Sequence, residues 1–218
     1  MLYQEIISNF LANAKQSKNQ EWQSVAIDDR NPTVDIRNLF FEFEGNSPYD
    51  REWCQATFAE RVSGIPMNPG ESYKIWPYRT EDFLNKEGKF SHTYMERMVN
   101  LEDVISRLNK NPFTRQAILS IWTKEDELDL DDPVRVPCSI FYHFQYTNGE
   151  LDMTYSIRSC DIRRHLANDL YLANCLLSYV SHKANMLPGK LYVWVGNLHC
   201  FESDIYSLKK LSNVLNQG

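Results

Sequence analysis

The sequence predicts an α+β fold, with helices flanking one main β-sheet in a single domain over residues 1–218. Segments of helical and strand-like periodicity are mixed along the chain, without the regular alternation of a doubly wound fold. Asn148-Gly149 between two aromatic runs is a strong hairpin signal. The 218 residues are 43% hydrophobic, which is enough for one sizeable core.

The predicted elements follow from periodicity and from turn residues. We expect helices over 1–15, 99–108, 162–183 and 203–215, and strands over 34–43, 116–122, 137–146, 151–158 and 191–195. Another helix should start at Asn46-Ser47-Pro48 and carry Glu52, Cys54 and Phe58. Residues 64–88 predict a long ordered loop with short helical pieces. Leu187-Pro-Gly is interpreted as the end of the long helix.

Charge and hydropathy exclude several classes of protein. The net charge is −6, the pI is near 5.4, and no Lys/Arg-rich run is present, so duplex nucleic acid is not an expected partner. The N-terminus is amphipathic and lacks the features of a signal peptide, and no stretch is apolar enough to span a bilayer. We therefore expect a cytoplasmic protein without membrane contact. A few inward-facing arginines could still bind a small anion.

The five cysteines do not form a metal or disulfide pattern. Their number is odd and none are closely spaced, so we expect free thiols and no metal site. A free cysteine is usually a small buried hydrophobe. Only Arg135-Val-Pro-Cys138, entering the aromatic run Phe141-Tyr-His-Phe144, suggests more.

Five short motifs in a fixed order carry a resemblance to a known family. They are Lys74-Ile-Trp76 with Gly88–Tyr94, Asn111-Pro-Phe-Thr-Arg115, Arg135-Val-Pro-Cys138, Arg158-Ser-Cys-Asp161 and Gly196-Asn-Leu-His199-Cys-Phe201. Together, over about Arg30 to Phe201, they resemble the thymidylate synthase family. Within it, Pro69-Gly-Glu, Lys74-Ile-Trp76 and Val195–His199 look like the phage deoxycytidylate hydroxymethylase branch.

The resemblance implies a thymidylate synthase-like domain that forms a homodimer through one sheet face. It also implies a reaction in which a thiolate adds to the 6-carbon of a pyrimidine ring, which makes the 5-carbon nucleophilic. Cys138 would be that thiolate, favoured by arginine near it, and Cys160 and the other cysteines would be structural. The one-carbon donor would be 5,10-methylenetetrahydrofolate, with a pyrimidine nucleoside monophosphate as substrate.

Phosphate recognition would fall to a set of arginines and a serine. By resemblance these are Arg30, Arg158, Ser159 and, from the other subunit, Arg115. Gln116 stands where the family has a second arginine, so one phosphate contact would be neutral. A solvated turn residue is an equally good interpretation of Arg30.

Other roles are carried over from the family in the same way. Glu52 would be the general acid/base acting through ordered water, although an exposed helix glutamate is the alternative. Tyr94 and Asp161 would belong to the water network, with Asp161 also on the folate side. Trp76 would pack against the folate, unless it is a core residue.

The sugar contacts depend on the last motif. His199 would hydrogen-bond the sugar, and Phe201 replaces the tyrosine that the family has there. One sugar contact is therefore missing, which leaves both ribose and deoxyribose open.

Asp169 is the position that bears most directly on the choice of base. Counted without a gap from Arg158, it occupies the slot of the uracil-reading asparagine of thymidylate synthases, and the phage hydroxymethylase branch also has Asp there. A carboxylate accepts from the exocyclic amine of cytosine and opposes a carbonyl. A slip of one residue would put Asn168 in the slot, but it would also rotate the apolar stripe that contains Leu166, Leu170 and Ala173.

The expected activity is therefore 5-hydroxymethylation of dCMP or CMP. No match to the family's folate-covering C-terminal tail is found before Gly218, and a wetter site favours capture of the one-carbon group by water. The alternatives are a dUMP or dCMP methylase, and a nucleotide-binding homologue that has lost catalysis.

Overall fold

A six-stranded mixed sheet forms the centre of the protein. The computed structural model describes residues 1–16, 32–76, 84–126 and 135–216. The strands are β1 (Lys15–Gln16), β2 (Thr33–Phe43), β3 (Ile118–Ser120), β4 (Ser139–Thr147), β5 (Glu150–Asp161) and β6 (Leu187–Phe201). Their order in the sheet is β1-β2-β6-β5-β4-β3. Neighbours are antiparallel except β5 and β6, which are parallel, so the expectation of α+β structure around one mixed sheet is confirmed.

Six α-helices lie in the described residues. They are α1 (Tyr3–Asn13), α2 (Arg51–Arg61), α3 (Tyr94–Arg97), α4 (Leu101–Lys110), α5 (Leu166–Lys183) and α6 (Ile205–Leu215). Short 3-10 turns occur at Ser72–Ile75, Lys124–Asp126 and Glu202–Asp204. None of these helices is long and apolar enough to cross a membrane.

The two faces of the sheet differ in what covers them. Alternate strand residues pack with α1, α4, α5 and α6 in one core. On β2, Phe41 is buried in that core, whereas its neighbour Phe40 is 60% exposed on the opposite face. There the Phe40 ring stacks on Tyr192 of β6 at 6.1 Å. The face opposite the core therefore carries aromatic side chains that remain open to solvent in a single chain.

Helix α5 supplies a large part of the core. The predicted stripe is buried at every position: Leu166, Leu170, Ala173, Leu177 and Val180. Full burial of a leucine side chain stabilises a fold by about 1.5–3 kcal/mol relative to exposure. This stripe fixes the rotation of α5, and with it the direction in which its first turn presents polar side chains.

The hairpin between β4 and β5 is confirmed. Asn148 and Gly149 both have positive φ, 52° and 97°. A two-residue turn of this type matches the twist of the flanking strands, and Asn-Gly is its favoured sequence. The turn sets the register from the Thr147–Glu150 pair to the Phe141–Ser156 pair, and an irregularity then shifts it by one residue, so that Ser139 pairs with Ile157.

Several predicted boundaries were wrong, and one of them is the start of α5, which lies at Leu166 rather than at residue 162. Helix α2 begins at Arg51 rather than at Asn46, because the side chain of Asp50 accepts from the backbone N–H of Trp53 at 2.9 Å and caps it. Leu187-Pro-Gly does not end a helix: α5 ends at Lys183, and Leu187 already pairs with Glu150. A proline is tolerated in the first residues of a strand. Strand β6 also continues to Phe201, paired with β2 to its end and with β5 as far as His199.

Candidate active site

Cys138 lies immediately before β4, where Arg158 of β5 holds the chain. The Arg158 side chain donates through Nε to the carbonyl of Pro137 at 2.8 Å and through Nη2 to that of Val136 at 3.0 Å. The backbone N–H of Arg158 donates to the carbonyl of Cys138 at 2.8 Å. One arginine therefore fixes the backbone on which the half-buried thiol is carried.

The electrostatic environment of Cys138 differs from the expectation. Burial raises the pKa of the thiol, and the charge of Asp169 raises it further, while Arg158 and Arg135 act in the opposite direction. Arginine is near the thiol, as expected, but burial outweighs it. The protein without nucleotide therefore carries Cys138 as a thiol at neutral pH, and loss of its proton has to accompany the reaction.

Tyr94 reaches the same segment through a chain of hydroxyl groups. Its phenol, at the start of α3, lies 2.9 Å from Oγ of Ser139, the residue after Cys138. The Ser139 hydroxyl lies 2.7 Å from the hydroxyl of Tyr155 in the core. Burial raises the pKa of Tyr94 well above its usual range. The Tyr94 phenol is therefore a neutral hydrogen-bonding group.

Asp169 lies in the first turn of α5 and faces β5. Its Oδ2 accepts from the thiol of Cys160 at 3.6 Å. Burial raises the pKa of the Asp169 carboxyl to about 6, against the opposing effects of the Arg61 charge and the Cys160 hydrogen bond. At neutral pH this carboxyl is close to the point at which it can take up a proton.

The side chain of Asn168 points toward the start of α2 instead. Its Oδ1 accepts from the backbone N–H of Asp50 at 2.8 Å, just before α2, and the residue is buried. The two adjacent polar residues therefore have different surroundings. Asp169 faces Cys160 of β5, whereas Asn168 joins α5 to α2.

Arg61, at the end of α2, is a residue near the site that sequence reasoning missed. It is 8% exposed, and its guanidinium lies 4.1 Å from the centre of the Tyr94 ring. The signal available in the sequence was the helical spacing of Cys54, Thr57 and Arg61, which puts the three residues on one face of α2. The structure shows that this face is buried.

Trp53, Trp76 and His165 form an aromatic wall at the start of α5. The ring of Trp76 lies 3.8 Å from that of Trp53 and stacks on His165 at 5.6 Å and 12°. Trp76 is only half-buried. Glu52, next to Trp53, is exposed in the first turn of α2, and no hydrogen bond in the described part of the chain joins it to Cys138 or Asp169.

The parallel pair β5–β6 brings two of the expected sugar and phosphate residues together. The Ser159 hydroxyl lies 3.4 Å from Nδ1 of His199. His199 is 5% exposed, and burial lowers its pKa to about 3, so the imidazole is neutral. The Phe201 ring meets it edge-on at 6.3 Å.

Asp161 shapes the turn that leads from β5 into α5. Its Oδ1 accepts from the backbone N–H groups of Arg163 and Arg164 at 2.8 and 3.0 Å. Burial raises the pKa of the carboxyl to about 6. Through these contacts Asp161 stabilises the turn, in addition to any contact with a ligand.

The segment that carries Arg115 and Gln116 is turned outward. Arg115 and Gln116 precede β3 and are exposed, and Oε1 of Gln116 accepts from Nη1 of Arg107 at 3.0 Å. Within one chain neither is joined to Cys138 by a described contact. Arg30 lies outside the described residues.

Comparison with known proteins establishes the family. The family model for thymidylate synthase matches residues 57–214, and the chain belongs to this family. It is 30% identical over 109 residues to a thymidylate synthase of Enterobacteria phage T4, covering 50% of this chain and 37% of that protein. It is 28% identical over 167 residues to the thymidylate synthase of Mycoplasma pneumoniae, covering 72% and 56%. The chain thus spans less than two thirds of the length of these relatives.

A solved structure shares the fold. Thermostable thymidylate synthase A from Bacillus subtilis aligns with a TM-score of 0.77, over 97% of this chain and 82% of that one, at 16% sequence identity. The thymidylate synthase-like fold expected from the five motifs is confirmed.

Proposed function

We propose that this protein transfers a one-carbon group from 5,10-methylenetetrahydrofolate to the 5-carbon of dCMP or CMP, and that water captures it as hydroxymethyl. The observation that carries the choice of base is the contrast between the two adjacent residues of α5. The carboxyl of Asp169 faces Cys160, while the Asn168 amide is occupied by the start of α2.

The carboxyl of Asp169 suits cytosine because the two can share a proton. One oxygen accepts from the exocyclic amine, and the other pairs with ring N3 through a proton carried by either partner. The pKa of about 6 makes that proton available near neutral pH. Uracil presents a carbonyl in place of the amine, and that oxygen is too weak a base to bring a proton to an ionised carboxyl.

Ring activation falls to Cys138. Its sulfur adds to the 6-carbon as the thiol proton passes to an ordered water molecule, and the electron pair displaced from the ring double bond makes the 5-carbon nucleophilic. Arg158 holds the backbone around the thiol, and the Tyr94–Ser139 hydroxyls next to it can orient a water molecule. Glu52 is proposed as the acid/base that exchanges protons through such water.

The aromatic wall is the proposed binding surface for the folate. The half-buried Trp76, backed by Trp53 and His165, offers a flat apolar surface for a pterin ring. When bound, methylenetetrahydrofolate supplies the one-carbon unit. The likeness of Pro69-Gly-Glu and Lys74-Ile-Trp76 to the hydroxymethylase branch supports hydroxymethyl as the product.

Phosphate and sugar binding complete the proposal, and we infer a homodimer from them. Ser159 and His199 lie together on the parallel strand pair, and Arg158 and Arg30 would bind phosphate in the same subunit. Arg115 would reach the site of a second copy, with neutral Gln116 beside it. Phe201 leaves the sugar with one contact fewer, so both ribose and deoxyribose remain candidates.

The test is a change of base preference. Asp169→Asn should lower kcat/KM for the cytidine nucleotide and raise it for the matching uridine nucleotide, because an amide donates to the carbonyl of uracil. A mispaired buried group costs about 1–3 kcal/mol, so the ratio should move ten- to a hundredfold. Asn168→Asp is the matched control and should leave the ratio unchanged. Wild-type preference for uracil would exclude the cytidylate assignment.

A second candidate is a dUMP or dCMP 5-methylase, which the thymidylate synthase names of the relatives favour. Mass spectra of the products from dCMP, CMP and dUMP, each with the folate, separate the two. A mass gain of hydroxymethyl supports the proposal, and a gain of methyl supports the second candidate. Nucleotide binding without any product would identify a homologue that has lost catalysis.

A further inference from the structure

Arg61 is the one arginine or lysine among the described residues that is buried, at 8% exposure. Its Nε has no hydrogen-bond partner in the described part of the chain. Burying a charge with an unsatisfied donor is unfavourable unless something nearby compensates for it. The compensation therefore has to come from the groups that surround the guanidinium.

The first of these groups is the ring of Tyr94. The guanidinium carbon lies 4.1 Å from the ring centre, a stacking distance at which a cation is attracted to the aromatic face. The hydroxyl of the same ring lies 2.9 Å from Oγ of Ser139, next to Cys138. Arg61 thus stacks on one face of the Tyr94 ring, and the hydroxyl of this ring contacts Ser139, next to the thiol of Cys138.

The second group is the carboxyl of Asp169, which forms no described hydrogen bond or ion pair with Arg61 and interacts with it through charge alone. The Arg61 charge is the strongest influence that opposes the effect of burial on the pKa of this carboxyl, ahead of the Cys160 hydrogen bond. The same charge also opposes the effect of burial, which raises the pKa values of Cys54, Tyr94 and Tyr142. The titratable groups that the Asp169 charge in turn affects are Cys54, Tyr94, Cys138, Tyr142, Tyr155 and Cys160.

We propose that Arg61 is a positioning residue of the nucleotide pocket, which fixes the Tyr94 ring and supplies the positive charge opposite the base-reading carboxyl of Asp169. The inference rests on the proposed function, since it assigns Asp169 to the base. Without Arg61 the carboxyl would keep its proton to higher pH. A protonated carboxyl can donate to the carbonyl of uracil, so the preference for cytosine would appear only at higher pH.

The experiment measures the carboxyl directly, without turnover. In nucleotide-free protein labelled with 13C at aspartate carboxyls, the Asp169 signal is assigned by its loss in Asp169→Asn. We expect it to titrate at about 6 in the wild type. In Arg61→Gln the midpoint should rise by about one pH unit, because a nearby cation has been removed. Arg51→Gln is the matched control, exposed on the same helix, and should leave the midpoint unchanged.

A second variant separates charge from shape. Arg61→Lys keeps the charge but loses the flat guanidinium, so its carboxyl midpoint should stay near that of the wild type. Its kcat should fall about tenfold with KM little changed, because the Tyr94 ring is less well held. Where Arg61→Gln fails to fold, Arg61→Met takes its place.

The outcomes distinguish the inference from the function on which it rests. An unchanged Asp169 midpoint in Arg61→Gln, or wild-type kcat in Arg61→Lys, would overturn the role of Arg61. The pH at which the dCMP-to-dUMP ratio of kcat/KM rises should shift upward together with the midpoint in Arg61→Gln. If the midpoint shifts and the ratio does not follow, Arg61 still controls the carboxyl, and the proposed reading of the base by Asp169 is wrong.

Discussion

The Oδ1 atom of Asn168 accepts a hydrogen bond from the backbone N–H of Asp50 at 2.8 Å, and this contact joins the start of α5 to the start of α2. Asp50 in turn caps α2 through the backbone N–H of Trp53. The Asn168 amide oxygen is thereby occupied by the backbone of α2, and the neighbouring carboxyl of Asp169 is the group that we propose to contact the base.

Loss of the Asn168 contact should affect stability and spare base preference. Asn168→Ala leaves the Asp50 N–H without its acceptor, which should lower the free energy of unfolding by about 1 kcal/mol. Urea unfolding measures this. The ratio of kcat/KM for cytidine and uridine nucleotides should match that of the wild type. A changed ratio would mean that Asn168, rather than Asp169, contacts the base.

The nucleophile assignment predicts a separation of turnover from binding. Cys138→Ala should reduce kcat by at least about a thousandfold, since the route that activates the ring is lost. The nucleotide Kd, measured by calorimetry, should change little because phosphate and sugar contacts remain. Normal turnover by Cys138→Ala would show that the mechanism is wrong.

Cys160 provides the matched cysteine. Its thiol donates to Asp169, and Cys160→Ser keeps a donor at that place. This variant should therefore retain turnover and the preference for cytosine. Loss of activity in Cys160→Ser comparable to that of Cys138→Ala would contradict the assignment of the nucleophile to Cys138.

Local sequence signals predicted much of the fold because they act over a few residues. The Asn148-Gly149 turn and the apolar stripe of α5 each follow from spacing alone. Leu187-Pro-Gly was misread because its surroundings are set by pairing with Glu150 and Leu151, which are distant in sequence. Long-range strand pairing overrides a local stop signal.

For the site, the order of the motifs indicated the protein family and, through it, the roles of Cys138, Arg158 and Asp169. It gave no indication of Arg61. No motif contains this residue, and its importance comes from burial against Tyr94, 33 positions further along the chain in the numbering. The pKa of the Cys138 thiol is likewise not predictable from the sequence. An arginine close to it could be anticipated, but the larger effect of burial depends on the packed structure.

The raised pKa of Asp169 has a consequence for stability. Its folded value of about 6 lies above the ordinary value of 3.8, so the native state binds more protons than the unfolded state between these values. Stability from this group is therefore greatest at low pH and falls as pH rises from about 4 to about 6. Asp169→Asn should stabilise the protein at pH 7 by about 1–3 kcal/mol. Urea unfolding at pH 7 and 5 should show the gain shrinking at pH 5.

The open aromatic face of the sheet predicts a homodimer that sedimentation can detect. Phe40→Asp puts a charge on that face and should shift the protein toward monomer, whereas Ile65→Asp, at a similarly exposed apolar residue outside the sheet, should not. If Arg115 serves the neighbouring site, the monomer should also lose most of its activity. Mixing inactive Cys138→Ala with inactive Arg115→Ala chains should restore some turnover, because a heterodimer holds one intact site. A fully active monomer would rule out the shared site.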